Sequence, residues 1–140
     1  MVVPLYFAYG SNMDRAAMAR RCPASRVLGL GRLNRHRLVI MREGYASVER
    51  WPSGTVWGVL WDLALSDVPA LDRYEGVASG LYVKAQQPVS TEGGVRRALV
   101  YLGRGNGGVP RPGYLEGVIA AGRENGLPEI YLKGLAALKR

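Results

Sequence analysis

The chain has 140 residues, 48% of them hydrophobic, and a formal net charge of +8 at pH 7, which fits one domain with a buried core. No apolar stretch is long enough to span a membrane and no basic-then-apolar leader opens the chain, so we expect a cytoplasmic protein with no membrane partner. A single cysteine, Cys22, excludes an internal disulfide, and with one histidine, His36, it leaves little to build a metal cluster.

The positive charge is concentrated in the first 50 residues, where nine arginines stand against three acidic residues and so carry +6 of the +8. Such a patch could meet phosphates. However, exposed aromatic residues do not alternate with these arginines, and the spacing of a helix-turn-helix or a zinc finger is missing. We therefore expect attraction for anionic metabolites and no specific nucleic-acid partner. His36 lies in the basic run RLNRHR and is expected on an exposed face.

The run YFAYGSN at residues 6–12 predicts a buried strand that ends in a glycine turn. The strand is expected to include Val2 and Val3, and Gly10 to adopt a positive φ. A helix predicted at residues 14–21 follows directly. Backbone N–H groups of the turn and of the helix start would then face a carboxylate or phosphate. A tight turn that binds nothing explains the same residues, so the motif alone leaves both interpretations open.

Strands and short helices alternate along the rest of the chain. Further strands are predicted at residues 37–42, 46–49, 55–62, 81–88 and 95–102, with a turn at 52–54 and a loop at 103–112. Helices are predicted at residues 65–74, 114–125 and 129–138. About six strands with helices at the start, middle and end predict a single α+β domain over residues 1–140. Its mixed sheet is expected to be curled or barrel-like, with the helices packed outside.

Glu75 follows a predicted helix and precedes a glycine turn. If Tyr74 and Tyr82 enclose its carboxylate, desolvation raises its pKa into the range where it can both accept and return a proton. An exposed, helix-terminal glutamate is the alternative. Asp72, one turn back, is expected to point to solvent or to pair with a base. Ser11 has no identifiable partner to activate it as a nucleophile, so we expect it to be a donor in the turn.

Four sequence blocks together support a family resemblance. They are YFAYGSN at 6–12, VWGVLW at 56–61, LDRYEGVASGLYV at 71–83 and GRENGLPEIY at 122–131. In order and spacing they resemble the γ-glutamylcyclotransferase family almost from end to end. This resemblance implies an enzyme without metal or cofactor that cyclises a γ-glutamyl amino acid to 5-oxoproline and releases the amino acid. It is also compatible with a homodimer.

The resemblance implies the roles of individual residues as well. Glu75 corresponds to the family's acid/base glutamate, Tyr131 to its late substrate-contacting tyrosine, and Tyr82 is expected in the pocket wall. The substrate-binding loop corresponds to Tyr6, Phe7, Ala8, Tyr9, Gly10, Ser11 and Asn12. Two alternatives stay open: a cyclotransferase acting on γ-glutamylamines, and a non-catalytic module that binds a γ-glutamyl or other carboxylate metabolite.

Overall fold

Five β-strands close into a barrel in the computed structural model, which describes residues 4–138. The strands are β1 (Leu5–Ala8), β2 (Arg26–Ile40), β3 (Ala46–Asp62), β4 (Val83–Thr91) and β5 (Gly94–Leu102), and their order around the barrel is β1-β3-β2-β4-β5. All neighbours are antiparallel except β1 and β5, which pair in parallel at Tyr6 and Leu99. The predicted α+β class and mixed, barrel-like sheet are therefore confirmed.

The helices lie before, between and after the strands. They are α1 (Arg15–Arg21), α2 (Val68–Tyr74), α3 (Tyr114–Glu124) and α4 (Glu129–Ala136), with short 3-10 turns at Ser11–Met13 and Leu65–Asp67. The Asp14 carboxylate caps α1 by accepting from the N–H groups of Ala16 and Ala17. Gly126, with φ of 87°, ends α3 in the left-handed conformation that favours glycine. No helix within residues 4–138 is both long and apolar enough to span a membrane.

The described part of the chain has five strands where the sequence predicted about six. The predicted segments 46–49 and 55–62 belong to one strand, β3, because its ladder with β2 resumes beyond the predicted turn at 52–54. Asn34 pairs with Thr55 and His36 with Arg50, so residues 51–54 form an irregularity opposite Arg35. Sequence patterns report local breaks but not whether pairing continues after them.

His36 was expected on an exposed face, and this is wrong: its side chain is buried, with Nδ1 2.9 Å from the carbonyl oxygen of Asn34. The basic run around it lies inside β2, where alternate residues face the barrel interior. Val2 and Val3, predicted in the first strand, lie outside the described residues.

Close packing between β1 and β3 depends on a glycine. A Cβ atom on Gly58 would lie 2.7 Å from Cζ of Phe7 and closer still to the carbonyl oxygen of Ala8. Phe7 is fully buried in the core. The missing side chain therefore lets β1 pack closely against β3.

We predict that Gly58→Ala destabilises the protein by about 1–3 kcal/mol, because the added methyl group overpacks the contact between β1 and β3. Gly117→Ala is the matched control: a Cβ at this exposed position of α3 meets no atom within 4 Å, and alanine favours the helical conformation over glycine by roughly 0.5–1 kcal/mol. Urea unfolding of both variants checks the prediction. Equal stability of the two variants would contradict this account of the core.

Candidate active site

A pocket of about 180 Å³ opens where β1 ends and the first 3-10 turn begins. Because a cavity of roughly 10–15 Å³ already holds one water molecule, this pocket has room for a small molecule. Most of the predicted site residues line it: Tyr6, residues 9–12, Glu75 and Tyr82. The fold thus brings the strand-to-turn motif together with a carboxylate more than sixty residues later in the chain.

Three predicted site residues do not line this pocket. Phe7 and Ala8 are buried in the core between the pocket-lining residues Tyr6 and Tyr9. Tyr131 lies on α4, where its buried hydroxyl is near the backbone of Trp57 but forms no hydrogen bond with any described residue. The structure therefore does not bring Tyr131 together with Glu75.

Tyr114 is the late tyrosine that lines the pocket, and sequence reasoning missed it. It begins α3, directly after the glycine- and proline-rich loop at residues 103–112. Because such a loop has no regular structure, the sequence does not show where in the fold the following helix will pack. The only sequence signal for Tyr114 is its position as a large aromatic residue at a helix start.

Glu75 ends α2 with its carboxylate directed toward β1 and the 3-10 turn. The Tyr6 hydroxyl donates to its Oε2 atom at 3.4 Å, and the Asn12 amide Nδ2 donates to the same oxygen at 3.5 Å. Burial raises the pKa of Glu75 to about 7, although the Tyr6 hydrogen bond and the Arg21 charge act in the opposite direction. The carboxyl can therefore accept and return a proton near neutral pH, which favours the enclosed glutamate over the exposed one.

The tyrosines around Glu75 are held by hydrogen bonds to the backbone. Tyr9 donates to the carbonyl oxygen of Tyr101 at 2.6 Å, and Tyr82 donates to the carbonyl oxygen of Ala46 at 2.5 Å. Tyr114 accepts from the N–H of Ala46 at 3.1 Å, so its own proton is available to another acceptor. Burial raises the pKa of Tyr9 and Tyr82 well above their usual range, and that of Tyr114 to about 12. At neutral pH these groups are donors and walls, not bases.

Gly10 does not have the positive φ expected from the sequence, but the space around it is narrow. Its φ is −122°, whereas a Cβ atom on it would lie 3.1 Å from the Tyr114 hydroxyl oxygen. The Asp14 carboxylate already occupies the N-terminus of α1. An anion at this site would consequently meet the first N–H groups of the 3-10 turn, at Ser11 and Asn12, which have no partner within the turn itself.

Other polar groups divide between structural contacts and a second cavity. Asp72 pairs with Lys84 at 3.0 Å, as expected of a carboxylate beside a base, and accepts from the Tyr101 hydroxyl at 2.7 Å.

A larger groove of about 710 Å³ lies between the first half of β2 and the turn joining β4 to β5, and Arg32 and Arg96 line it. No predicted site residue lines that groove, so size alone does not make it the active-site candidate. Within the described residues, no three His, Cys, Asp or Glu side chains are placed to hold a metal ion.

Comparisons with known proteins identify relatives of this chain and structures with the same fold. Residues 55–135 match the model of the AIG2-like family. The chain is 34% identical to "Gamma-glutamylcyclotransferase" of Mus musculus and 31% identical to the protein of the same name from Bos taurus. Each alignment covers 96% of this chain and 78% of the relative. A solved structure named "Gamma-glutamyl cyclotransferase" superposes with a TM-score of 0.89 at 31% identity, over 97% of this chain and 88% of the other.

The raised pKa of Glu75 predicts a specific pH dependence of stability. Because the folded carboxyl titrates near 7 and the unfolded one near 4.5, the folded state binds more protons between these values, and the free energy of unfolding falls as pH rises from about 4.5 to about 7. The glutamine side chain of Glu75→Gln does not titrate, so the free energy of unfolding of this variant does not fall in this way. We expect its stability relative to the parent chain to increase over that interval by up to ~3 kcal/mol and then to level off, since each pKa unit corresponds to about 1.4 kcal/mol. Urea titrations from pH 4 to 9 measure this difference. A difference independent of pH would show that Glu75 is not desolvated.

Proposed function

The chain belongs to the γ-glutamylcyclotransferase family of enzymes, and we propose that it converts a γ-glutamyl amino acid to 5-oxoproline and the free amino acid in the Glu75 pocket. The observation that carries this proposal is the enclosed carboxylate, whose pKa of about 7 suits proton transfer in both directions. Its neighbours in the pocket are hydrogen-bond donors, and the pocket is the size of a small molecule.

The reaction needs no nucleophile from the protein. The substrate's α-amine attacks its own γ-carbonyl carbon, which closes the five-membered ring, and the bond to the leaving amine then breaks. Holding a substrate in the folded conformer supplies an effective molarity of 10⁵ M or more, as an order of magnitude. Cys22 is not needed and is poorly suited, because it is buried at the end of α1 and burial raises the pKa of its thiol to about 11.

Glu75 transfers protons from the substrate's α-nitrogen to its leaving nitrogen. The α-amine enters as an ammonium, so the ionised carboxylate accepts its proton before or during attack on the carbonyl. The protonated carboxyl then donates this proton to the departing nitrogen. When the ring nitrogen becomes an amide it loses a second proton, which the regenerated carboxylate accepts and passes to the free amine, so the amine leaves as an ammonium and the enzyme returns to its starting state. A single group serves both steps because its pKa lies near the working pH, and such proton transfer contributes roughly 10²- to 10⁴-fold to the rate.

The turn after β1 binds the glutamyl end of the substrate. The N–H groups of Ser11 and Asn12 meet the α-carboxylate at the start of the 3-10 turn, where Gly10 leaves the approach clear. Tyr114, with its oxygen already accepting from Ala46, can donate its proton to a substrate oxygen. Tyr82 forms the opposite wall, fixed by its own bond to the Ala46 carbonyl.

We predict that Glu75→Gln folds but loses roughly 10²- to 10⁴-fold in kcat for 5-oxoproline release from γ-glutamyl amino acids. Glu124→Gln, which alters an exposed glutamate at the end of α3, is the matched control and should keep the parent kcat. Product release is measured across a panel of γ-glutamyl amino acids, γ-glutamylamines and glutathione. Turnover of γ-glutamylamines alone would change the substrate class.

Two other outcomes would overturn the proposal itself. Near-parent turnover by Glu75→Gln would remove Glu75 from the proton steps. Saturable binding of the panel by calorimetry, without any 5-oxoproline, would make the protein a binding module. In both cases the pocket residues would need a different assignment.

A further inference from the structure

Arg21 joins two pocket-lining residues from behind the pocket. It is the last residue of α1 and is half-buried. Its guanidinium carbon lies 3.5 Å from the centre of the Tyr74 ring, a stacking distance for a cation on an aromatic face. Its NH1 group donates to the side-chain oxygen Oδ1 of Asn12. One planar cation thus holds the residue that precedes Glu75 and the amide that donates to Glu75.

This contact determines which way the Asn12 amide points. With Oδ1 facing the guanidinium, Nδ2 lies 3.0 Å from the Tyr6 hydroxyl oxygen and 3.5 Å from Oε2 of Glu75. The flipped amide would place two donors against each other at Arg21 and an oxygen against the Glu75 carboxylate. Because Asn12 is buried, water does not compensate for such mismatches.

We propose that Arg21 is a positioning residue for the reaction: by fixing the Asn12 amide, which donates to Glu75, and the ring of the preceding Tyr74, it sets the orientation of the Glu75 carboxylate. This inference rests on the proposed role of Glu75 as the base. The Ser11 hydroxyl lies 2.6 Å from the Tyr74 hydroxyl, which ties the stacked ring to the same turn that carries Asn12. A flat, multidentate cation is needed here, because a lysine ammonium can carry the charge but cannot stack and donate in one fixed plane.

The charge of Arg21 also acts on Glu75, and the other titratable side chains that line the pocket around this carboxyl are all tyrosines. Tyr45 and the stacked Tyr74 are two of them. Burial raises the pKa of the other five, which lie in β1, directly after it, before β4, in β5 and at the start of α3: Tyr6, Tyr9, Tyr82, Tyr101 and Tyr114. The nearby charges of Asp72 and Lys84 pair with each other. The positive charge of Arg21 therefore favours ionised Glu75 and opposes the effect of burial.

Three variants test the proposal: Arg21→Met, Arg21→Lys and the control Arg20→Met, which changes the exposed neighbour on the same helix turn. For Arg21→Met we expect kcat to fall about 10- to 10²-fold with a smaller change in KM. The acid limb of its pH–rate profile should move to higher pH, because the lost cation no longer favours ionised Glu75. Arg21→Lys should keep the acid limb near that of the parent and still lose kcat. Arg20→Met should match the parent in both.

NMR supplies a readout that does not depend on turnover. In Arg21→Met the Glu75 carboxyl should titrate at higher pH than in the parent, and hydrogen exchange of the Asn12 side-chain amide should become faster. In Arg20→Met neither should change. If the parent protein releases no 5-oxoproline, the proposed function fails on its own, and the NMR measurements alone then decide whether Arg21 orders Asn12 and Glu75.

Specific results would overturn the inference. One is an Arg21→Met variant whose kcat, acid limb and Asn12 exchange equal those of Arg20→Met. Another is full recovery of kcat by Arg21→Lys, which would reduce the role of Arg21 to its charge. If Arg21→Met does not fold, as judged by its thermal transition, Arg21→Lys decides the matter by the same kcat comparison.

Discussion

Desolvation of the Glu75 carboxylate is the constraint on which the rest of the site depends. A carboxylate taken out of water is costly unless it is protonated or hydrogen-bonded, and here both occur in part: its pKa rises to about 7, and Tyr6 and Asn12 donate to it. More donors would return the pKa to its usual range and remove the capacity to give a proton back. The observed balance, with two long hydrogen bonds and one cation behind them, keeps both protonation states accessible near neutral pH.

The fold creates that environment by joining distant segments at one end of the barrel. The four residues of β1 lie between β3 and β5, and Gly58 lets them pack closely against β3. The chain then leaves the barrel as a 3-10 turn and continues into α1, which brings Arg21 back behind the turn. α2 ends beside this turn, so that Glu75 lies within hydrogen-bond distance of Asn12. The packing of these segments thus positions the two donors, Tyr6 and Asn12, and the acceptor, Glu75. A change in the core near β1 is therefore expected to disturb the site as well.

The sequence predicted the parts of this site that local chemistry specifies. The strand-to-turn motif and Glu75 were both identified from their residue types, and the resemblance to a family connected them. What it could not predict depended on three-dimensional pairing. Tyr131 was assigned from the resemblance and does not line the pocket, whereas Tyr114, which follows an irregular loop, does and was not predicted. His36 was expected to be exposed because its neighbours are basic. It is buried because successive residues of β2 face opposite sides of the sheet. The strand count differed because β3 resumes pairing beyond residues 51–54.

The most direct test of the account compares two titrations: the pH dependence of kcat/KM for a γ-glutamyl amino acid and the NMR titration of the Glu75 carboxyl in the free enzyme. If Glu75 is the base, the acid limb of kcat/KM and the carboxyl titrate together, at a pKa near 7. An acid limb that departs from the Glu75 titration, or a Glu75 carboxyl that titrates near the 4.5 of an ordinary glutamate, would contradict the central claim.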